Sequence, residues 1–271
     1  MGGYMTRRRS AGPSAQLLSS RRARGPLALL AAALLALGAW LAPGLVSGTG
    51  GAPTAPVTLT DRQASYSAWD PVTSPDYYRI VGTAVADVDL APGEVRYAGL
   101  DALGRTGQVA ANVTYDMMKR GSERSREDIS RIHPAGWGHN EEVDIVNPDG
   151  STYHGTLYNR SHLLAKSLGG DDAEYNLVTG TRTQNVGDNH GQDGGMAFTE
   201  GLARDWLREN PDGTVLYLAT PVYEGAELLP RSVLVDVLSS DGAIDLEVEV
   251  YNDAAGYDID YATGAFSVAG E

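Results

Sequence analysis

One histidine and one asparagine, 23 residues apart, are the residues of this chain best suited to chemistry. Tyr158-Asn159-Arg160-Ser161-His162-Leu163-Leu164 is followed by Thr183-Gln184-Asn185. A histidine titrates close to neutral pH and takes a proton from water. An asparagine offers a neutral amide oxygen to a hard cation such as Mg²⁺, which prefers oxygen ligands and keeps most of its waters. Together they suit one-metal hydrolysis of a phosphodiester, in which water loses a proton and phosphate charge is neutralised.

Several elements must position that pair. Val143 to Val146 and Thr152 to Tyr158, joined by Asn147-Pro148-Asp149-Gly150, are predicted to form a β-hairpin. The segment after Arg160 is predicted to be a helix, with Ser161 as its N-cap and Gly169-Gly170 as its stop. His162 then sits at the strand-to-helix junction. Residues 195 to 209 place Phe198, Leu202 and Trp206 on one face of a second helix. An earlier helix is expected from Asn112 to Lys119, after a short strand at Val95 to Ala98. Val215 to Ala219, Val233 to Leu238 and the alternating run Ile244 to Val250 read as strands. The expected fold class is α+β: a mainly antiparallel central sheet with flanking helices and a ββα finger.

The chain has 271 residues and no cysteine, which excludes disulfides and thiolate-bound zinc. Residues 1–48 carry Arg7, Arg8, Arg9, Arg21, Arg22 and Arg24, no acidic residue, and an apolar run from Leu27 to Leu41. This is the pattern of an export signal, or of a signal anchor if it is not cleaved. Residues 49–76, rich in Gly, Pro, Ser and Thr, are expected to be a flexible tether, with the folded domain over 77–271. Taking the six leader arginines from 21 basic residues leaves 15 against 35 acidic ones, a formal charge of −20. Such a chain does not attract polyanions by bulk charge, so any nucleic-acid site needs a local basic patch and a cation. Lys119, Arg120, Arg124, Arg126 and Arg131 are the dense basic cluster.

Asn159-Arg160-Ser161-His162 resembles the Asp-Arg-Gly-His motif of the DNA/RNA non-specific endonucleases, ββα-metal (His-Me finger) enzymes. Asn176-Leu177 through Gln184-Asn185, Thr220 to Tyr223, Leu228-Leu229-Pro230, Tyr251-Asn252 and Asp258 to Gly264 match further family blocks in order. The resemblance spans roughly residues 95 to 268. It implies His162 as general base and Asn185 as sole protein ligand of a hydrated Mg²⁺, with Mn²⁺ as the alternative. It implies Glu200 orienting water, Arg204 steadying phosphate, and Arg160 holding the finger or touching phosphate. The implied substrate is DNA, with RNA as a second, cut to 5′-phosphate ends. Two residues depart from the motif: Asn159 for the usual Asp, and Ser161 for the usual Gly.

Arg131, Trp137 and Gln184 are the remaining candidate substrate contacts, Trp137 by stacking on a base. Asn176 reads as structural. Asp171, Asp172, Asp188 and Asp193 have no EF-hand spacing and read as solvated loop. The expected location is extracellular, or the outer face of the membrane through the N-terminal segment, and no protein partner is indicated. The alternative is a non-catalytic nucleic-acid-binding or DNA-uptake protein on the same scaffold.

Overall fold

The computed structural model describes residues 66–147, 150–187 and 191–270. The expected export leader, the expected tether up to residue 65, the tip of the first hairpin turn, Asp188 and His190 lie outside the described residues.

Runs of β-branched residues build the scaffold. Strands β1 (Tyr78–Gly82), β2 (Val95–Tyr97) and β3 (Val109–Thr114) precede helix α1 (Tyr115–Glu123). The hairpin β4 (Glu142–Val146) and β5 (Thr152–Thr156) follows, then β6 (Tyr158–His162), β7 (Leu177–Thr181), α2 (Arg182–Val186) and α3 (Met196–Glu209). The chain closes with β8 (Thr214–Val222), β9 (Ser232–Ser239), β10 (Asp245–Tyr251), β11 (Tyr257–Ile259) and β12 (Phe266–Val268). The main sheet is antiparallel throughout, in the order β1-β10-β9-β8-β3-β2. Val113, Val215, Tyr217, Val235 and Val248 point from one sheet face into a core closed by α1, α3 and the finger. A second apolar cluster, including Ile145, Leu157, Tyr158, Leu229 and Tyr261, lies under the hairpin.

Three expectations change. The helix expected from Asn112 begins instead at Tyr115, because Val109–Thr114 pairs with β2 and β8 and is buried almost throughout. Thr114 then caps α1 by accepting from Met117 N at 3.2 Å. The helix expected after Arg160 is absent. Asn159 to His162 continue β6, paired with β7, and a single 3₁₀ turn (Lys166–Leu168) ends at Gly169 with φ of 95°. Ser161 is therefore a buried strand residue and not an N-cap.

The described end of the expected tether is also fixed. Ser67 Oγ donates to Glu249 Oε2 at 2.8 Å, and Arg79 Nε donates to the same oxygen at 3.1 Å. Trp69 stacks on Tyr77, with ring centroids 4.4 Å apart. Val85 N donates to Asp236 Oδ1 at 2.7 Å. Buried carboxylates on the outer sheet face thus find donors in the N-terminal segment, as their desolvation requires.

One buried side chain ties the β6–β7 connection together from within. Asn176 is fully buried. Its Oδ1 accepts from Leu164 N at 2.9 Å, and its Nδ2 donates to Leu164 O and Asp171 O at 2.9 and 2.8 Å. Its position confirms a structural role. Asn176→Ala leaves these backbone groups unpaired, at ~1–3 kcal/mol each when buried. The expected loss in urea unfolding is therefore about 3 kcal/mol or more. A loss below about 1 kcal/mol would contradict this account of the loop.

Candidate active site

The finger is β6, β7 and α2, not the β4–β5 hairpin followed by a helix. Register pairs His162 with Leu177 at one end and Tyr158 with Thr181 at the other. The chain turns from Thr181 directly into α2, whose first turn Thr181 caps by accepting from Gln184 N at 2.9 Å. Asn252 locks this corner. Its Oδ1 accepts from Thr181 N at 2.8 Å, and its Nδ2 donates to Thr179 O and Pro230 O at 3.1 and 2.8 Å.

Arg160 and His162 alternate along β6 onto one face. Both line a cleft of about 400 Å³ with Asn185 on α2 and Glu200 and Arg204 on α3. Arg126, Lys166 and Arg208 add positive charge to its wall. The five catalytic and metal candidates read from the sequence are thus brought together, although α2 and α3 are separate elements.

His162 is 12 % exposed, and its Nε2 lies 2.9 Å from Asp172 Oδ1. The Asp172 side chain is 1 % exposed and also accepts from Glu127 N at 3.2 Å, with Arg124 Nη1 3.6 Å away. Asp172 is therefore no solvated loop residue. A carboxylate on Nε2–H fixes the tautomer and leaves the Nδ1 lone pair available as a base. Burial pulls the His162 pKa below its usual 6.5, against the upward pull of Asp172. Burial thus favours the neutral ring. The Asp172 carboxyl lies below its usual range: burial raises it, but hydrogen bonds from Glu127 and His162 outweigh that. No local sequence signal marks Asp172, because its partners come from β6 and from the loop after α1.

Glu200 lies 3.4 Å from Arg204 Nη1, which also donates to Ser167 Oγ at 3.0 Å. Burial raises the Glu200 pKa to about 7 despite Arg204. Desolvation thus outweighs the nearby Arg204 and Arg126 charges at this carboxylate. With the Asn185 amide the carboxylate offers hard oxygen donors, and no cluster of three acidic or histidine ligands exists among the described residues. The donors fit a hard, largely hydrated cation, not a protein-caged one.

The other candidates fare differently. Arg160 donates to Ile132 O and Ser130 O, each at 2.5 Å, and its guanidinium lies 4.1 Å above the Trp137 ring. It therefore holds the loop at 130–132 to the finger. Trp137 serves as its shelf, with one ring face covered by the guanidinium. Gln184 is fully buried against Gly180, so the structure contradicts its reading as a substrate contact. Arg131 is exposed, but it is not in the cleft wall. Arg126, Lys166 and Arg208 take that place.

A ββα finger that presents a histidine and an asparagine to a shared basic cleft defines the ββα-metal class. The family model described as DNA/RNA non-specific endonuclease matches residues 87–266, and the chain belongs to that family. It is similar to a curated relative named "Deoxyribonuclease" from Streptococcus dysgalactiae subsp. equisimilis. The two are 35 % identical over 219 residues, which cover 71 % of this chain and 65 % of the relative. The chain thus spans slightly under two thirds of that relative's length. Sda1 nuclease, solved with a bound zinc ion, is 34 % identical. It aligns with a TM-score of 0.70 over 74 % of this chain and all of its own. NucA from Streptococcus agalactiae, solved with magnesium bound, shares the fold at 24 % identity. Its TM-score is 0.55, over 69 % of this chain and 83 % of its own.

The hydrogen bond and charge of Asp172 both raise the His162 pKa, so Asp172→Asn should lower it further. NMR titration of the His162 ring reads this directly. An unchanged or higher value would remove Asp172 from its role.

Proposed function

We propose that this chain is an exported, metal-dependent endonuclease that hydrolyses DNA, and RNA as a second substrate, with little sequence preference. The observation that carries the reading is the Asp172-held His162 facing the same cleft as Asn185, Glu200 and Arg204. The relative named for deoxyribonuclease activity supports DNA as substrate. The leader arginines and apolar run support export, with a membrane tether as the alternative use of that segment.

Asp172 holds the imidazole with Nδ1 free. Nδ1 accepts a proton from the water that attacks phosphorus in line with the departing 3′ oxygen, leaving a 5′-phosphate. Asn185 would hold the cation and Glu200 would orient its water, and Sda1 nuclease with its zinc ion supports a divalent one. Bound there, Mg²⁺ or Mn²⁺ would neutralise charge on the phosphate and the leaving oxygen. Arg204, already braced by Ser167 and Glu200, presents its guanidinium to the phosphate. Arg126 and Lys166 bring local positive charge to a chain that is otherwise acidic. All these groups recognise sugar-phosphate rather than base edges, which accounts for weak sequence preference. A non-catalytic binding protein would leave the His162–Asp172 pair without a task.

Plasmid cleavage is the test. Nicking should require a divalent cation, stop with EDTA, and fall about 10²–10⁴-fold in His162→Ala, the range for loss of a general base. Wild-type cleavage by His162→Ala, or by the EDTA-treated protein, would sink the mechanism. Asn185→Ala should need more Mg²⁺ for half-maximal rate, and added Mg²⁺ should restore part of the activity. An unchanged Mg²⁺ titration would remove Asn185 as the ligand.

A further inference from the structure

Ser161 stands where the family motif has glycine, and its hydroxyl has an unusual neighbour. Ser161 Oγ donates to Asn185 Oδ1 at 3.2 Å. Among the described residues this is the one hydrogen bond made to the Asn185 side chain. We propose that Ser161 is a positioning residue for the cation: its hydroxyl fixes the Asn185 amide so that the oxygen, not the NH₂, serves the cleft. The proposal rests on the reading of Asn185 as the cation's ligand.

The terminal torsion of an asparagine is broad and two-fold, so an unheld amide samples both ends. The Thr181 cap orders the backbone of α2 but does not reach the Asn185 side chain. Ser161 does, and it is well placed to. It is fully buried and lies in a strand paired along its length. Room for it comes from Gly180, where an added Cβ would stand 2.8 Å from the Ser161 Cβ. An amide oxygen has two lone pairs, so accepting one hydroxyl leaves the second for the cleft.

Two effects of that hydrogen bond oppose each other. Donation to the oxygen weakens it slightly as a ligand. Orientation strengthens it, and second-shell groups that orient a ligand are typically worth about 10–100-fold in metal affinity. Orientation wins here, because the cation draws few protein donors and a misplaced amide loses one of them outright.

The test uses Mn²⁺ alone, without nucleic acid, its free fraction read by electron paramagnetic resonance. Ser161→Ala should weaken Mn²⁺ binding about 10–100-fold. Ser161→Gly removes the hydroxyl and carries the family's own residue, so it should do the same. Asn185→Ala should weaken binding at least as much, and the Ser161→Ala/Asn185→Ala double variant no further, since one acts through the other. Additive losses in the double variant would mean that Ser161 acts independently of Asn185, and would overturn the proposal. Wild-type affinity in both Ser161 variants, beside a loss in Asn185→Ala, would also overturn it. Wild-type affinity in Asn185→Ala would instead overturn the ligand reading beneath it.

Discussion

The pairing of β6 with β7 is the constraint on which the site depends. Two short strands fix where His162 lies and where α2 begins, so imidazole and amide are placed by one register. A slip of one residue would turn His162 and Arg160 to the face that Ser161 now occupies, and Ser161 with Asn159 to theirs. The corner is fastened from outside as well. Asn252, at the end of β10, bonds both to β7 and to the chain just before β9. The finger is thus tied to the main sheet through hydrogen bonds that are all buried, and buried bonds of this kind are expensive to leave unmade.

Close approach is the second theme. Gly180 faces both the Gln184 side chain and Ser161, leaving no space for a Cβ. That lack of a side chain lets α2 lie against the strands. Gly121 serves α1 in the same way, meeting the backbone of Lys166 and Gly169. The loop carrying Lys166 and Ser167 is drawn in by both helices. Lys166 donates to Gly121 O at 2.9 Å, and Ser167 receives Arg204. The cleft wall at Lys166 and Ser167 is therefore tied to both helices.

Charge is distributed to the same end. The chain is strongly acidic, yet the cleft gathers Arg126, Lys166, Arg204 and Arg208. Of the acidic groups near it, Asp172 is engaged by His162 and Arg124, and Glu200 is paired with Arg204 but desolvated enough to titrate high. A buried carboxylate pushed to about pH 7 in its titration is favourable ground for a cation. Local electrostatics, rather than net charge, prepare the site for a polyanion.

The amino-acid sequence by itself determined the class and most of the actors. The alternating strands, the helix at 196–209 and the hairpin are periodic and local, and they form near the expected bounds, although β5 stops at Thr156 and the helix buries Met196, Thr199, Ala203 and Leu207. The ordered motif blocks marked His162, Asn185, Glu200 and Arg204, and the cleft contains all four. Tertiary structure decided the rest. Whether Asn159 to His162 formed helix or strand depended on a partner, β7, that local propensity does not see. Asp172 looked like one more acidic loop residue until folding buried it against His162, and Gln184 and Trp137 looked available until packing enclosed one and Arg160 covered the other. A residue's chemical type can be read from sequence. Its solvent, its neighbours and the lone pair it has left are set only when distant segments meet.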